Sequence, residues 1–168
     1  MIKVRLRDYF NLNNLYPYII PSEIIKKYWD NLGWKSPSSD WDLKLTTLLK
    51  DSMIILKDAI DQSKPFFSLP QIQEEGQELL KNKESKESLK HILSYLRQEN
   101  IDKLDQVKAK EIINNICKTH SIKKGIVMKA LRVAFFGCLS GPDLIQSWEL
   151  LSENKSDLLR IERCFISP

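Results

Sequence analysis

A chain of 168 residues, 42% of them hydrophobic, is long enough for one domain or two small ones and apolar enough to fill a core. Its longest apolar runs, such as Met53 to Leu56 and Val133 to Phe136, fall far short of the roughly 18 to 20 residues a membrane span requires, which excludes a transmembrane helix. A formal charge of +4 is mildly basic and selects no partner by itself.

Taken in order, residues 1–18 carry Lys3, Arg5 and Arg7 without sustained periodicity and read as a tail or the remnant of an upstream region. Pro21-Ser22 opens the first expected helix, which runs to about Leu32 with Ile24, Ile25, Tyr28, Trp29 and Leu32 at helical spacing and Gly33 just beyond. After the Ser-Pro-Ser-Ser loop, Asp40 is the expected N-cap of a helix carrying Leu43, Leu45, Leu48 and Leu49. A third helix is expected over Asp51 to Ser63 and is stopped by Pro65. Pro70 opens a fourth that reaches about Leu80. The polar string KNKESKES that follows is a solvated linker or a helix start capped by Ser85.

The next helix, with Leu89, Ile92, Leu93 and Leu96, ends near Arg97, and Asp102 or Asp105 caps its successor. Both Gln106 to Thr119 and Lys124 to Ala134 repeat apolar residues at helical spacing. Gly137 and Ser140-Gly141-Pro142 then interrupt the chain before two last helices, near 142–152 and 155–164. No run alternates apolar and polar residues long enough to demand a strand. The expected fold is all-α, two small helical subdomains in tandem at 19–98 and 99–168 after the tail 1–18, with their joint near 97–100.

Enzyme chemistry finds little support. His91 and His120 are far apart with no carboxylate or cysteine at ligand spacing, so no metal site is expected; His120, inside a basic stretch, is the better phosphate contact of the two. There is no Gly-rich phosphate loop and no Ser-His-Asp arrangement. Lys83-Glu84-Ser85-Lys86 superficially resembles the KMSKS loop of class I tRNA synthetases, but without a nucleotide-binding domain to present it a solvated charge run is the simpler reading. Cys117, Cys138 and Cys164 are odd in number and widely spaced, which suggests small buried hydrophobes rather than zinc ligands. The N-terminal string MIKVRLRDYF lacks the apolar stretch and cleavage site of a secretory signal, so an intracellular protein is expected.

Charge distribution says more than net charge. From Ile112 to Pro142 there is no Asp or Glu, yet Lys118, Lys123, Lys124, Lys129 and Arg132 all fall there. The basic segment runs into a glycine turn and then into a new helix start at Gly141-Pro142-Asp143. Cations beside a helix N-terminus favour an anionic partner such as a polynucleotide. The plainer alternatives are a solvated helix face neutralised by acids from neighbouring helices, an interhelical salt bridge for Arg132, and a simple helix start at Gly141-Pro142.

Gly125, Met128, Leu131, Arg132, Val133, Ala134 and Gly137, followed by Gly141-Pro142-Asp143-Leu144, resemble the C-terminal region of bacterial-type glutamyl-tRNA synthetases. Trp148-Glu149-Leu150-Leu151 and Leu158 to Arg163 continue the likeness. Leu56-Lys57-Asp58-Ala59-Ile60-Asp61 with Phe66-Phe67 is similar to an L-x-D/E block in the preceding helical subdomain. The resemblance covers roughly residues 12 to 166. It implies two helical anticodon-binding subdomains whose partner is glutamate tRNA. Arg132, Gly141, Pro142 and Leu144 are then set against the first anticodon base, with Pro142 at the first helical position, and Lys123, Lys124 and Lys129 along the RNA backbone.

The resemblance also implies that activation of glutamate, with its ATP and magnesium, belongs to a catalytic domain upstream or in a separate chain. These residues are therefore expected to hold no cofactor and to be inactive alone. A segment of a longer protein, a split gene product and a free-standing relative all remain open, in the cytoplasm or in an organelle of bacterial descent. Two departures stand out. Phe135-Phe136-Gly137 adds bulk and removes a hydroxyl where relatives read LRVALTG. Ser52 falls where members restricted to glutamate tRNA place an arginine against the third anticodon base, which implies relaxed discrimination between glutamate and glutamine isoacceptors. A helical protein–protein adaptor that has lost RNA binding is the competing reading.

Overall fold

The computed structural model describes residues 19–53, 56–101 and 103–166, and among these every regular element is helical. Packing divides the chain into two compact units, Met1–Ser68 and Leu69–Pro168. The tail expected at 1–18 and the candidate cap Asp102 lie outside the described residues.

The first unit holds α1 (Ile19–Asn31), α2 (Ser39–Leu49), a 3-10 turn (Lys50–Ser52) and α3 (Leu56–Phe67). Helix α1 starts two residues before Pro21 and ends ahead of Gly33, whose φ of 74° lets the chain turn away. Ser38, not Asp40, caps α2: its hydroxyl accepts from the Trp41 N–H at 3.2 Å. Pro65 does not stop α3, which runs two residues further. Proline removes one backbone donor in the last turn, and burying the two rings that follow outweighs that loss. Phe66 is fully buried, and the Phe67 ring lies 5.0 to 5.3 Å from the rings of Trp34, Trp29 and Trp41. The buried Trp29 indole N–H donates to Ser63 Oγ at 2.8 Å, fixing α1 on α3.

The second unit holds α4 (Glu74–Lys81), α5 (Lys83–Gln98), α6 (Gln106–His120), α7 (Lys124–Phe136), α8 (Leu144–Glu153), α9 (Asp157–Glu162) and a closing 3-10 turn (Arg163–Phe165). Helix α5 lies along α7, α6 packs on α8 and α7, and α9 closes over α7. The subdomain joint expected at 98/99 is therefore displaced. Leu89, Ile92 and Leu96 make α5 part of the same core as Val127, Leu131 and Trp148, and the polar turn after it links two helices of one unit. The string KNKESKES is no linker either. Asn82 Oδ1 accepts from the Ser85 N–H, so α5 begins at Lys83 and Ser85 is buried within its first turn.

Pro70 likewise opens no helix; α4 waits until Glu74. The segment before it is held extended because the Gln73 N–H donates to the Gly137 carbonyl at 2.8 Å. Asp105 caps α6 through the Lys108 N–H, as its position before an apolar repeat suggests.

Candidate nucleic-acid interface

Helix α7 divides cleanly by its 3.6-residue period. Val127, Ala130, Leu131, Ala134 and Phe135 are fully buried, while Gly125 and Lys129 face solvent and Met128 and Arg132 lie half-buried between. Lys123 and Lys124 are exposed at its start. None of Lys118, Lys123, Lys124, Lys129 and Arg132 forms an ion pair among the described residues, although Lys124 Nζ donates to Asn114 Oδ1 at 3.2 Å. Acids from neighbouring helices thus do not neutralise this face, and its field reaches outward.

At the far end of α7 the chain makes a turn that only glycine allows. Gly137 has φ 75°, and a Cβ there would sit 2.1 Å from the Gln71 carbonyl oxygen. Gly141 has φ 146° and lies flat against the Phe136 ring, which a Cβ would meet at 3.1 Å. The added bulk of Phe135-Phe136 is absorbed: Phe135 packs on Trp148 at 5.8 Å, and Phe136 forms the floor of the turn. Glu75 Oε1 accepts from the Leu139 N–H at 3.1 Å, a further tie between the 137–141 turn and the segment before it.

Arg132 makes no interhelical salt bridge. Its Nη1 donates to the carbonyls of Gly141 and Pro142 at 3.1 and 3.0 Å, clamping the turn. A guanidinium carries five N–H donors, so Nε and Nη2 keep about three for another acceptor. Among the described residues no group takes them. The planar Nε/Nη2 fork is pre-set by the other edge of the same side chain, an arrangement matched to paired acceptors on a base edge or a phosphate.

Two expectations about the turn need correction. Helix α8 starts at Leu144, and Asp143 is its N-cap, accepting from the Gln146 N–H at 2.9 Å. Pro142 therefore precedes the cap instead of occupying the first helical position, because the aspartate carboxylate takes the amide that would otherwise point outward. That carboxylate also places negative charge where an anion would bind, so this helix start repels phosphate and suits an uncharged base edge. The Leu144 side chain is 1% exposed and belongs to the core; only its backbone can face a ligand.

Beneath the turn lie two arginines that residue-type reasoning did not assign. Arg160, 1% exposed, donates from Nη1 to the Phe135 carbonyl at 2.7 Å and from Nε to Ser156 Oγ. Arg163 donates to the Ala134 carbonyl at 3.0 Å and to the Pro70 carbonyl. Together they occupy the last carbonyls of α7, which a helix end leaves open. Burial pulls the Arg160 pKa down to about 10, and burial raises that of the adjacent Asp157, whose carboxylate accepts from the Trp148 indole. An arginine inside an apolar repeat, Leu158-Leu159-Arg160-Ile161, was the available signal.

Ser52 lies in the first unit, exposed, and its hydroxyl is already committed to the Leu49 carbonyl and to Gln62 Oε1. The Gln62 amide returns a bond to the Ser52 carbonyl at 2.9 Å. The histidines, distant in sequence, are brought together: the rings of His91 on α5 and His120 on α6 stack at 3.4 Å, 10° from parallel. Burial pushes the Cys164 thiol up to about 11, in keeping with a packing role.

Fold and surface define a class, an all-α domain with an unneutralised basic helix face leading into a clamped glycine turn. The family described as an anticodon binding domain matches residues 12–165, and the chain belongs to it. Glutamate–tRNA ligases are among the proteins the chain is similar to. That of Prochlorococcus marinus strain MIT 9515 is 68% identical over 145 residues, 86% of this chain and 30% of that protein. That of strain NATL2A is 40% identical over 163 residues, 93% of this chain and 34% of the relative. The solved glutamate tRNA ligase of Elizabethkingia meningosepticum CCUG26117, in complex with its amino acid, shares the fold with a TM-score of 0.77 at 20% identity, over 94% of this chain and 30% of that one. The chain thus spans about 30% of the length of these relatives. No described helix is long and apolar enough to cross a membrane.

Proposed function

We propose that this chain is the anticodon-reading portion of a glutamate–tRNA ligase and binds the anticodon loop of glutamate tRNA. The observation that carries the reading is Arg132, clamped by two turn carbonyls and left with an outward fork at the end of an unneutralised basic stripe. The fork reads a base edge, with Gly141 and Pro142 supplying the adjacent backbone, while Lys123, Lys124 and Lys129 attract phosphates without reading sequence. Activation of glutamate with ATP and magnesium falls to a catalytic domain outside these helices, upstream or in a separate chain, and the cytoplasm is the compartment this assignment fits.

A mobility-shift titration of the chain with glutamate tRNA at two salt concentrations tests it. The expected result is affinity that falls steeply with salt and drops further for Arg132→Ala. Binding that is absent, or indifferent to both salt and Arg132, would support the adaptor reading instead. Discrimination is a second proposal, and it rests on the first unit alone. A short, internally bonded Ser52 cannot reach a base as arginine does, so the chain accepts glutamine isoacceptors as well. Equal affinity for both tRNAs in the wild type, and a preference for the glutamate anticodon in Ser52→Arg, are expected; a strong glutamate preference in the wild type would sink the idea.

A further inference from the structure

The chain has two histidines, and the fold places both in one face-to-face stack, with ring centroids 3.4 Å apart. The sequence around both rings is rich in lysine. Lys90 adjoins His91 on α5, Lys118 shares the last turn of α6 with His120, and Lys123 and Lys124 follow His120 by three and four residues at the start of α7. The charges acting on His91 are His120 from α6 and, on its own helix, Lys90 and one acid, Glu87. Burial first, then His120 and Lys90, hold its pKa below the ordinary histidine value. A metal ion fits poorly, because parallel imidazoles point their in-plane lone pairs side by side instead of toward one centre, and no group of three or more potential ligands occurs among the described residues.

We propose that the His91–His120 stack, with Lys90, Lys118, Lys123 and Lys124, is a second RNA contact that binds backbone phosphate of the anticodon arm and takes up a proton on doing so. The proposal rests on the anticodon-reading assignment above. The stack adjoins the N-terminal end of α7, and eight residues separate Lys124 from Arg132 on that helix, about 12 Å at 1.5 Å per residue. One strand can therefore meet both places, its bases at the turn and its phosphates at the stack. Without RNA, burial, the facing His120 ring and Lys90 disfavour the charged form of His91. A phosphate at the ring edges reverses that balance: the His91 imidazolium N–H finds an anionic acceptor, and binding draws a proton from solvent. Histidine is the side chain whose ordinary pKa lies in this range, so with two histidines in the chain the stack is the natural source of any uptake between pH 6 and 8.

The test is a tRNA titration of the 168-residue chain at pH 6.0 and 8.0 at constant ionic strength, for the wild type, the double variant His91→Gln with His120→Gln, and Arg132→Ala. Both histidines sit at the surface, and a thermal melt checks that the double variant is folded. The wild type should bind roughly fivefold or more tightly at the lower pH, and the double variant should show a ratio within about twofold of unity. Arg132→Ala should weaken binding at both pH values and keep the wild-type ratio. A double variant that retains both the wild-type affinity and the wild-type pH ratio overturns the proposal while leaving anticodon reading intact. A wild type that binds tRNA at neither pH overturns both.

Discussion

At its C-terminal end α7 hands its last carbonyls to dedicated donors: Val133 to the Gly137 N–H, Ala134 to Arg163, Phe135 to Arg160, and the turn beyond to Arg132. At its N-terminal end the same helix begins at Lys124, its N-cap Lys123 making no side-chain cap bond, flanked by exposed cations that no acid pairs among the described residues. One end is rigid and internally satisfied; the other is open and electrostatically unspent. The difference matches two tasks in reading RNA. A base edge must meet donors held to within tenths of an ångström, whereas phosphate attraction is long-ranged and tolerant of geometry. Changes at the first end should therefore act through stability and position, and changes at the second through salt and pH.

The largest effect is expected at Arg160. Arg160→Met leaves the buried Phe135 carbonyl without its donor and the buried Asp157 without its cationic neighbour, a loss of about 3 kcal/mol. Urea denaturation should show it, and adding Asp157→Asn should recover part of the loss by removing the stranded charge. Gly137→Ala comes next. Its positive φ costs about 1 to 2 kcal/mol for any L side chain, and the new Cβ also collides with the Gln71 carbonyl, so segment 70–73 must move. Reduced stability together with weakened tRNA binding is expected; full affinity in a folded Gly137→Ala variant would show that the turn does not position the reading groups.

Arg132→Lys probes the clamp itself with little cost to stability. A lysine ammonium is a compact point charge and cannot hold two carbonyls while presenting a planar fork, so tRNA affinity should fall about tenfold although the charge is kept, in line with the roughly 1 to 3 kcal/mol of a bidentate base contact. An affinity equal to wild type would reduce Arg132 to one more phosphate lysine.

The helices themselves were legible because their signal is local: the apolar period of α5 to α7, Asp105 before an apolar repeat, and Gly33 and Gly137 after one. Errors arose where a distant group decided the outcome. Pro65 was overruled by the aromatic cluster around Phe67, Pro70 by a bond from Gln73 to Gly137, and the joint at 98/99 by the packing of α5 on α7. Arg132 was visible as a site residue, but its clamp was not, since the acceptors are carbonyls and carry no sequence signature. The histidine stack escaped for the same reason: their separation in sequence says nothing of where α5 and α6 meet.

Asp143 separates capping from charge. Asp143→Asn keeps an acceptor for the Gln146 N–H and removes the anion at the turn, so stability should hold while tRNA binds about two- to threefold more tightly at low salt, a gain that high salt erases. Asp143→Ala, which loses the cap as well, should cost about 1 kcal/mol of stability.

The smallest effect belongs to the open end and concerns the free protein. Because the native fold holds the His91 pKa below its unfolded value of about 6.5, unfolding takes up protons, and stability must fall as pH drops through that region. The window is set by the unfolded pKa at its upper edge and the lowered native pKa at its lower edge; above it His91 is neutral in both states and contributes no pH dependence. His91→Gln removes the titrating group and should flatten the stability profile between pH 7 and 5.5 without shifting its plateau above pH 7. Glutamate tRNA should flatten it too, for the opposite reason, by stabilising protonated His91. A wild-type profile already flat in the free protein would mean that His91 is no harder to protonate in the fold than in the unfolded chain, and would separate the two ends of α7 by salt alone.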